Sequence, residues 1–426
     1  MTRRERIFPI FGGSIGNLVE WYDWNIYAAF ALYFAPSFFP ASDRTAQLLG
    51  AAAIFAVGFL MRPIGAWAMG IYSDRHGRKA GLTLSVLVMC AGSFAIAAVP
   101  TYASIGMAAP IILILARLLQ GLSVGGEYGA GATYMSEMAL DKNRGFWTSF
   151  HHVTLNLGQL SALGVLLLLQ ATLSETQLES WGWRIPFVVG GLLGLVALIL
   201  RRRLMETEAF TRQTNRQDSK TASSLRALLR DHGRNFWLVF FLTAGGTLAF
   251  YAYGTYMQKF LVNTSGFSRQ QATSIMTLAL FCFMCVQPLY GALSDRIGRK
   301  PVMIGFGVMG TLCTVPIFRT LETVQSPYVA FALIFALLLI VCGYTSVNAL
   351  VKAELFPSRI RALGVALPYA LANALFGGSV EYVALQLKSW GHEGAFYWYI
   401  TAMIAVSLVA YVVMPESKRA SLVDEV

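Results

Sequence analysis

Gly70-Ile-Tyr-Ser-Asp-Arg-His-Gly-Arg-Lys79 returns 221 positions later as Gly291-Ala-Leu-Ser-Asp-Arg-Ile-Gly-Arg-Lys300, with seven of the ten residues identical in place. Each copy is a short charged loop between two long apolar stretches. A second echo lies at nearly the same offset: Glu137 and Arg144 are matched by Glu354 and Arg361, both pairs seven apart. One stretch of chain is therefore used twice. Two-fold repetition in a polytopic chain is the mark of many secondary transporters.

The flanking composition agrees. Of 426 residues, 56% are hydrophobic and 13% charged, against about 25% charged in a soluble domain. Apolar runs near 20 residues recur throughout, each long enough for a bilayer core of roughly 30 Å. Twelve spans are expected, at 8–35, 46–70, 80–99, 108–138, 146–170, 185–201, 235–260, 270–293, 301–319, 327–351, 362–387 and 394–414. The fold class is an all-α membrane protein of twelve transmembrane helices in two six-helix bundles, 1–201 and 235–426. The polar stretch 202–234 links them, and Ser223 to Arg230 could form a short interfacial helix. Glycines cluster within spans, as at Gly121, Gly125, Gly126 and Gly129, where small residues let helix backbones approach closely.

A net charge of +11 invites a nucleic-acid partner, and the placement of the charge argues against one. Of 33 Lys and Arg, 25 fall in segments assigned to one side, among them the termini, the linker, both copied loops and Lys352. Six fall on the other side: Arg44, Arg184, Lys259, Arg269, Arg319 and Lys388. Arg62 and Arg117 lie within spans. The asymmetry puts both termini and the linker in the cytoplasm. Membrane lipid is then the expected surrounding, nucleic acid is not a partner, and a monomer suffices for function.

Cys90, Cys282, Cys285, Cys313 and Cys342 all lie in apolar runs. Cys282 and Cys285 form a C-x-x-C with no second pair or His cluster, so no metal and no cofactor is expected. The basic start is not followed by a small-residue cleavage site, so the first helix is expected to be retained.

In the copied loop, Asp74 and Asp295 can accept hydrogen bonds from a neighbouring helix N-terminus, where the dipole favours negative charge. Arg75, Arg78, Arg296 and Arg299 can pair with carboxylates on adjacent helix ends. Gly77 and Gly298 permit the tight turn. Such a cluster can latch one face of the bundle and release it, a gating role. Ordinary cytoplasmic loop charge explains the cations but not the repeated Asp and Gly. The pattern resembles the loop signature of the major facilitator superfamily.

Ionisable residues at membrane depth are costly and point to function. The first span holds Glu20 and Asp23, with Asn17 and Tyr27 on the same helical face. The second holds Arg62 and the fourth Arg117, with Gln120 and Gly121 along its face. Arg offers a planar fork that matches a carboxylate and stays protonated, so Arg62 and Arg117 are the expected substrate ligands. Glu20 or Asp23 is the expected proton carrier, as a carboxyl group withdrawn from water. The plainer alternative is that acids and arginines neutralise each other and only fix packing. In the second half, Thr247, Tyr251 and Gly254 share one face, and Tyr369, Asn373, Gly377 and Glu381 another. Tyr251, Tyr369 and Asn373 are added as candidate substrate contacts. Asn373 and Tyr369 could equally be interhelical glue. His151 and His152, near the cytoplasmic end, could be no more than wet interface.

Several longer stretches narrow the resemblance. Residues 16–23 (Gly-Asn-Leu-Val-Glu-Trp-Tyr-Asp), 58–65 (Gly-Phe-Leu-Met-Arg-Pro-Ile-Gly), 116–129 and 181–187 (Trp-Gly-Trp-Arg-Ile-Pro-Phe) are similar to the metabolite:proton symporters. Residues 255–264, 352–357 (Lys-Ala-Glu-Leu-Phe-Pro) and 374–385 resemble a dicarboxylate carrier of that family. The resemblance implies residence in a bacterial inner membrane and inward symport of a small-molecule dicarboxylate, 2-oxoglutarate first, with protons. It carries roles onto Asp74, Arg78, Arg184, Glu20, Asp23, Arg62 and Arg117. The pair His151-His152 is more basic than the family pattern, and would alter substrate range or pH response if it faces the cavity. The family also leaves open citrate, shikimate, proline or betaine as substrates. A polytopic membrane enzyme would need a motif such as H-E-x-x-H or D-D-x-x-D, and the sequence has neither.

Overall fold

The computed structural model describes residues 3–40, 43–76, 78–138, 143–202, 225–357 and 360–418, with backbone alone over 3–17, 73–82 and 126–138, among other stretches. No strand occurs among the described residues. The first half contributes α1 (Arg3–Phe38), α2 (Arg44–His76), α3 (Arg78–Ala98), α4 (Ala108–Met138), α5 (Arg144–Thr172) and α6 (Ile185–Arg202). The second contributes α7 (Gly233–Asn263), α8 (Arg269–Ile297), α9 (Arg299–Thr323), α10 (Pro327–Glu354), α11 (Leu363–Ser389) and α12 (Glu393–Val413). Among the described residues nine helices are long and apolar enough to cross a membrane, and Thr83–Ala98 and Gly182–Val196 add shorter apolar helices. The chain is a multi-pass membrane protein with the expected twelve spans. Leu225–Asp231 forms a short helix ahead of α7, close to the expected one, and most of the linker before it lies outside the described residues.

Three spans in the second half are not continuous α-helix. A π turn occupies Ala252–Tyr256 in α7 and another Asn373–Gly377 in α11, and α10 breaks between Thr345 and Asn348. Such π turns expose backbone groups and recur at functional sites. In a membrane the exposed groups must find partners in the protein. The Gly254 carbonyl does so by accepting a 2.9 Å bond from Gln159 Nε2 on α5, across the boundary between halves.

Glycine sets how closely α2 and α4 approach. A Cβ added at Gly121 would stand 2.0 Å from the Gly58 carbonyl oxygen, and one at Gly125 2.0 Å from that of Arg62. Backbone-to-backbone contact of this kind substitutes for the hydrophobic effect, which has no force between helices in lipid. It also places Arg62 and Arg117 on facing helices.

The two halves meet on both faces of the bundle. On the face bearing the loop motif, Gly145 of α5 abuts Gly291 of α8, where a Cβ on Gly291 would lie 2.4 Å from the Gly145 carbonyl oxygen. On the opposite face, Gln170 of α5 donates to Thr273 of α8 at 3.2 Å, and Arg269 pairs with Glu179 at 2.6 Å. The halves are thus in contact toward both ends. Between them a void of about 10 Å³, room for about one water, is bordered by Asn25, Gln159, Gly254, Thr255 and Gln258.

Candidate functional site

Both membrane-depth arginines stack on one indole. The Arg62 guanidinium carbon lies 4.3 Å from the Trp24 ring centroid and 3.9 Å from that of Phe59. That of Arg117 lies 3.9 Å from Trp24 and 4.4 Å from Tyr27. Arg117 is 0% exposed and Arg62 3%. Arg117 Nη1 donates to Gln120 Oε1 at 2.8 Å. Nε and Nη2 of both arginines are buried with no hydrogen-bond partner among the described residues. Each aromatic contact returns about 0.5–2 kcal/mol, against a desolvation penalty of several kcal/mol per ion. The arrangement is therefore poised for an anion.

Asp23 does not hold an arginine directly. Its carboxylate accepts from Ser93 Oγ and, at 2.5 Å, from Gln120 Nε2. Gln120 also donates to Ser93 Oγ at 3.0 Å. The one amide thus bridges the acid to Arg117. Asp23 is 2% exposed, and a Cβ on Gly190 of α6 would sit 2.5 Å from its Oδ1, so it is sealed inside the first half. Glu20, one turn earlier on α1, is 3% exposed.

The second-half candidates come together around the α7 and α11 π turns. Thr247 Oγ1 donates to Asn373 Oδ1 at 2.7 Å, and Asn373 Nδ2 to the Tyr369 hydroxyl at 3.4 Å. Tyr251 packs edge-on against Phe59, ring centroids 5.2 Å apart, and lies beside Arg62 and Asn373. Phe59 therefore joins Arg62 of the first half to the Tyr251, Asn373 and Tyr369 group of the second.

Two buried cations lie here that the charge count places on opposite faces of the membrane. Lys352 is 0% exposed, with Nζ 4.1 Å from the Tyr369 ring centroid and donating to Asn348 Oδ1 at 2.9 Å. Lys259 is 2% exposed and pairs with Glu381 at 2.5 Å. In the sequence each sits at the expected end of a span and looks like loop charge. The breaks in α7 and α10 carry them inward. His151 and His152 are corrected likewise: both are buried, and the His152 ring meets Phe250 edge-on at 5.3 Å.

On the loop-motif face, the Asp295 carboxylate accepts from the backbone N–H groups of Gly145 and Phe146 at 2.8 and 2.9 Å, at the N-terminus of α5. Arg299 Nη1 pairs with Asp295 at 2.8 Å, and its Nε lies 3.8 Å from Glu354. Glu416 accepts from the backbone N–H groups of Arg299 and Lys300 at 2.9 and 3.1 Å. Gly298 adopts φ +102°, a conformation that favours glycine. Arg296 is exposed, with no ion pair among the described residues. The side chains of Asp74, Arg75 and Arg78 lie outside the described residues. Arg184 is also remote from the centre: Nη1 donates to the carbonyls of Ala97 and Val99 at 2.8 and 2.6 Å, closing the end of α3.

A fold of twelve helices with this loop network and a central charged cluster is that of a secondary carrier. The Major Facilitator Superfamily profile matches residues 13–366 and again 239–424, and the chain belongs to that superfamily. It is 54% identical over 406 residues to the alpha-ketoglutarate permease of Escherichia coli (strain K12), covering 95% of this chain and 93% of that one. It is 33% identical over 400 residues to the citrate-proton symporter of Salmonella typhi, covering 93% and 91%. The proton:xylose symporter XylE bound to 6-bromo-6-deoxy-D-glucose superposes with a TM-score of 0.77 over 99% of both chains at 20% identity, a likeness of fold alone.

Proposed function

We propose that this chain is a proton-coupled importer of small dicarboxylates, 2-oxoglutarate first among them, working by alternating access in a bacterial inner membrane with both termini cytoplasmic. The observation that carries the reading is the pair Arg62 and Arg117, buried on one indole with unmatched N–H groups. The 54% identical permease supports the choice of substrate.

In this reading one carboxylate bridges Arg62 and Arg117. Tyr251 and Asn373 contact the body of the substrate, and Lys352 supplies positive charge from the opposite half. Asp23 carries the proton. While ionised, it holds the Gln120 amide, whose carbonyl occupies Arg117. Protonation weakens that hold, Gln120 relaxes, and an Arg117 N–H is released to the substrate. A loaded and protonated centre carries less net charge, so closing the halves around it costs less. On the loop-motif face, separation of Asp295 from the α5 N-terminus opens the way inward. The route out runs along one face of α5, where Thr148, His152 and Asn156 hold buried polar atoms without partners among the described residues.

Uptake of labelled 2-oxoglutarate into proteoliposomes tests the assignment. An inward proton gradient is expected to drive accumulation, and other dicarboxylates to compete while proline does not. Flux indifferent to the gradient would remove the symport claim, and absence of dicarboxylate uptake would remove the substrate.

A further inference from the structure

A second cavity, of about 260 Å³, opens on the face opposite the loop motif. Its charged and polar lining is Arg44 and Gln47 at the start of α2, Glu179 from the helix Glu175–Ser180, and Arg269 at the start of α8. Leu32 and Leu48 form part of its apolar wall. Arg44 Nη2 is buried and has no hydrogen-bond partner among the described residues. The Arg269 side chain is 14% exposed and stacks over Tyr33 at 4.7 Å. It pairs with Glu179 at 2.6 Å and lies 3.6 Å from Glu175. Those acids are 41% and 68% exposed, so the carboxylates sit nearer solvent and the guanidiniums deeper. The two arginines lie within electrostatic reach of each other. Two cations converging on a roomy cavity, one with an unmatched N–H group, describe a receptor for an anion rather than a packing contact.

We propose that this cavity is an outer docking site for a small dicarboxylate, held by Arg44 and Arg269 before it reaches the central arginines. The site rests on the reading of the chain as a dicarboxylate importer and adds a step to it. Arg269 belongs to the second half, and Arg44 and Glu179 to the first. Its ion pair with Glu179 therefore staples the halves on this face. An arriving carboxylate competes with Glu179 for the same guanidinium, so docking loosens the staple that keeps the outer side shut. Charge also draws the dianion in from solution, an effect that fades with ionic strength.

The test has two arms. In uptake assays, Arg44→Gln is expected to raise KM roughly tenfold with the saturated rate within about twofold of wild type, and to flatten the salt dependence of kcat/KM. Arg44→Lys should fall between, and Glu179→Gln should lower KM by removing the competitor. In the second arm, Gln47→Cys is labelled from outside with a membrane-impermeant maleimide, and 2-oxoglutarate is expected to slow the labelling. Protection should survive Arg117→Ala, which disables the central site, and disappear with Arg44→Gln. An unchanged KM and salt profile in Arg44→Gln, or no protection of Gln47→Cys, overturns the docking site. Protection without wild-type uptake leaves docking intact and removes the importer reading instead.

Discussion

Arg117 is where one side chain decides most. It has a single hydrogen bond to Gln120, and its remaining donors have nothing else to bind among the described residues. Its charge partner in the proposed reading is the substrate carboxylate, and removing one partner of a buried charge pair costs about 2–5 kcal/mol. Arg117→Ala is therefore expected to abolish measurable uptake, with expression and membrane insertion intact, and Arg117→Lys to recover little because an ammonium cannot offer the fork. Near-normal transport by Arg117→Ala would refute its role as a ligand. Gln120 makes a subtler case. With Gln120→Leu the link from Asp23 to Arg117 is cut while both charges remain. Exchange of labelled for unlabelled substrate across vesicles should persist, and accumulation driven by a proton gradient should fall about tenfold; equal losses of both would show that the amide serves binding alone.

Among the elements, the N-terminus of α5 and the C-terminus of α8 form the contact that the proposed alternating-access cycle would break to open the loop-motif face. Asp295 binds two backbone N–H groups there, a pairing of carboxylate and helix dipole worth up to about 2 kcal/mol when partly buried. Asp295→Asn keeps the shape and loses the charge. It should shift the population toward the state open on this face, read as faster thiol labelling of a cysteine placed at Ser149, which is 0% exposed beneath the Gly145–Gly291 contact. An unaltered labelling rate would deny Asp295 a gating role. The acceptance of helix N–H groups by Asp295 was legible in the motif, because a repeated Asp beside a Gly turn has few other uses. The exposure of Arg296 was not. Adjacent loop cations look alike until the direction of each side chain is known.

Across the whole molecule, Lys259 and Glu381 join α7 to α11 through a buried pair at 2.5 Å. Breaking such a pair strands a charge and costs about 3–5 kcal/mol, whereas replacing both members by apolar residues is often neutral. Lys259→Met and Glu381→Leu should each lower the thermal midpoint in detergent, and the double variant should recover most of it. If the double variant is as unstable as either single one, the pair is more than structural. Phe59 has a comparable reach, since its ring touches both Arg62 and Tyr251 and so binds the halves around the central site.

The number of spans, the repeat and the presence of arginines and carboxyl groups at membrane depth were all readable from residue order. Hydropathy and helix length are local quantities, and a copied loop is visible in any alignment of the chain with itself. Which charged side chains lie buried near one another was decided only by folding. Lys352 and Lys259 look like loop cations in the sequence, and they turn inward because α10 and α7 depart from regular helix near them. Gln120 lies within reach of both Asp23 and Arg117 only because α1 and α4 pack together. A side chain's partners depend on helix rotation and on breaks of a single turn, and hydrophobic periodicity is blind to both in a helix that is apolar on every side.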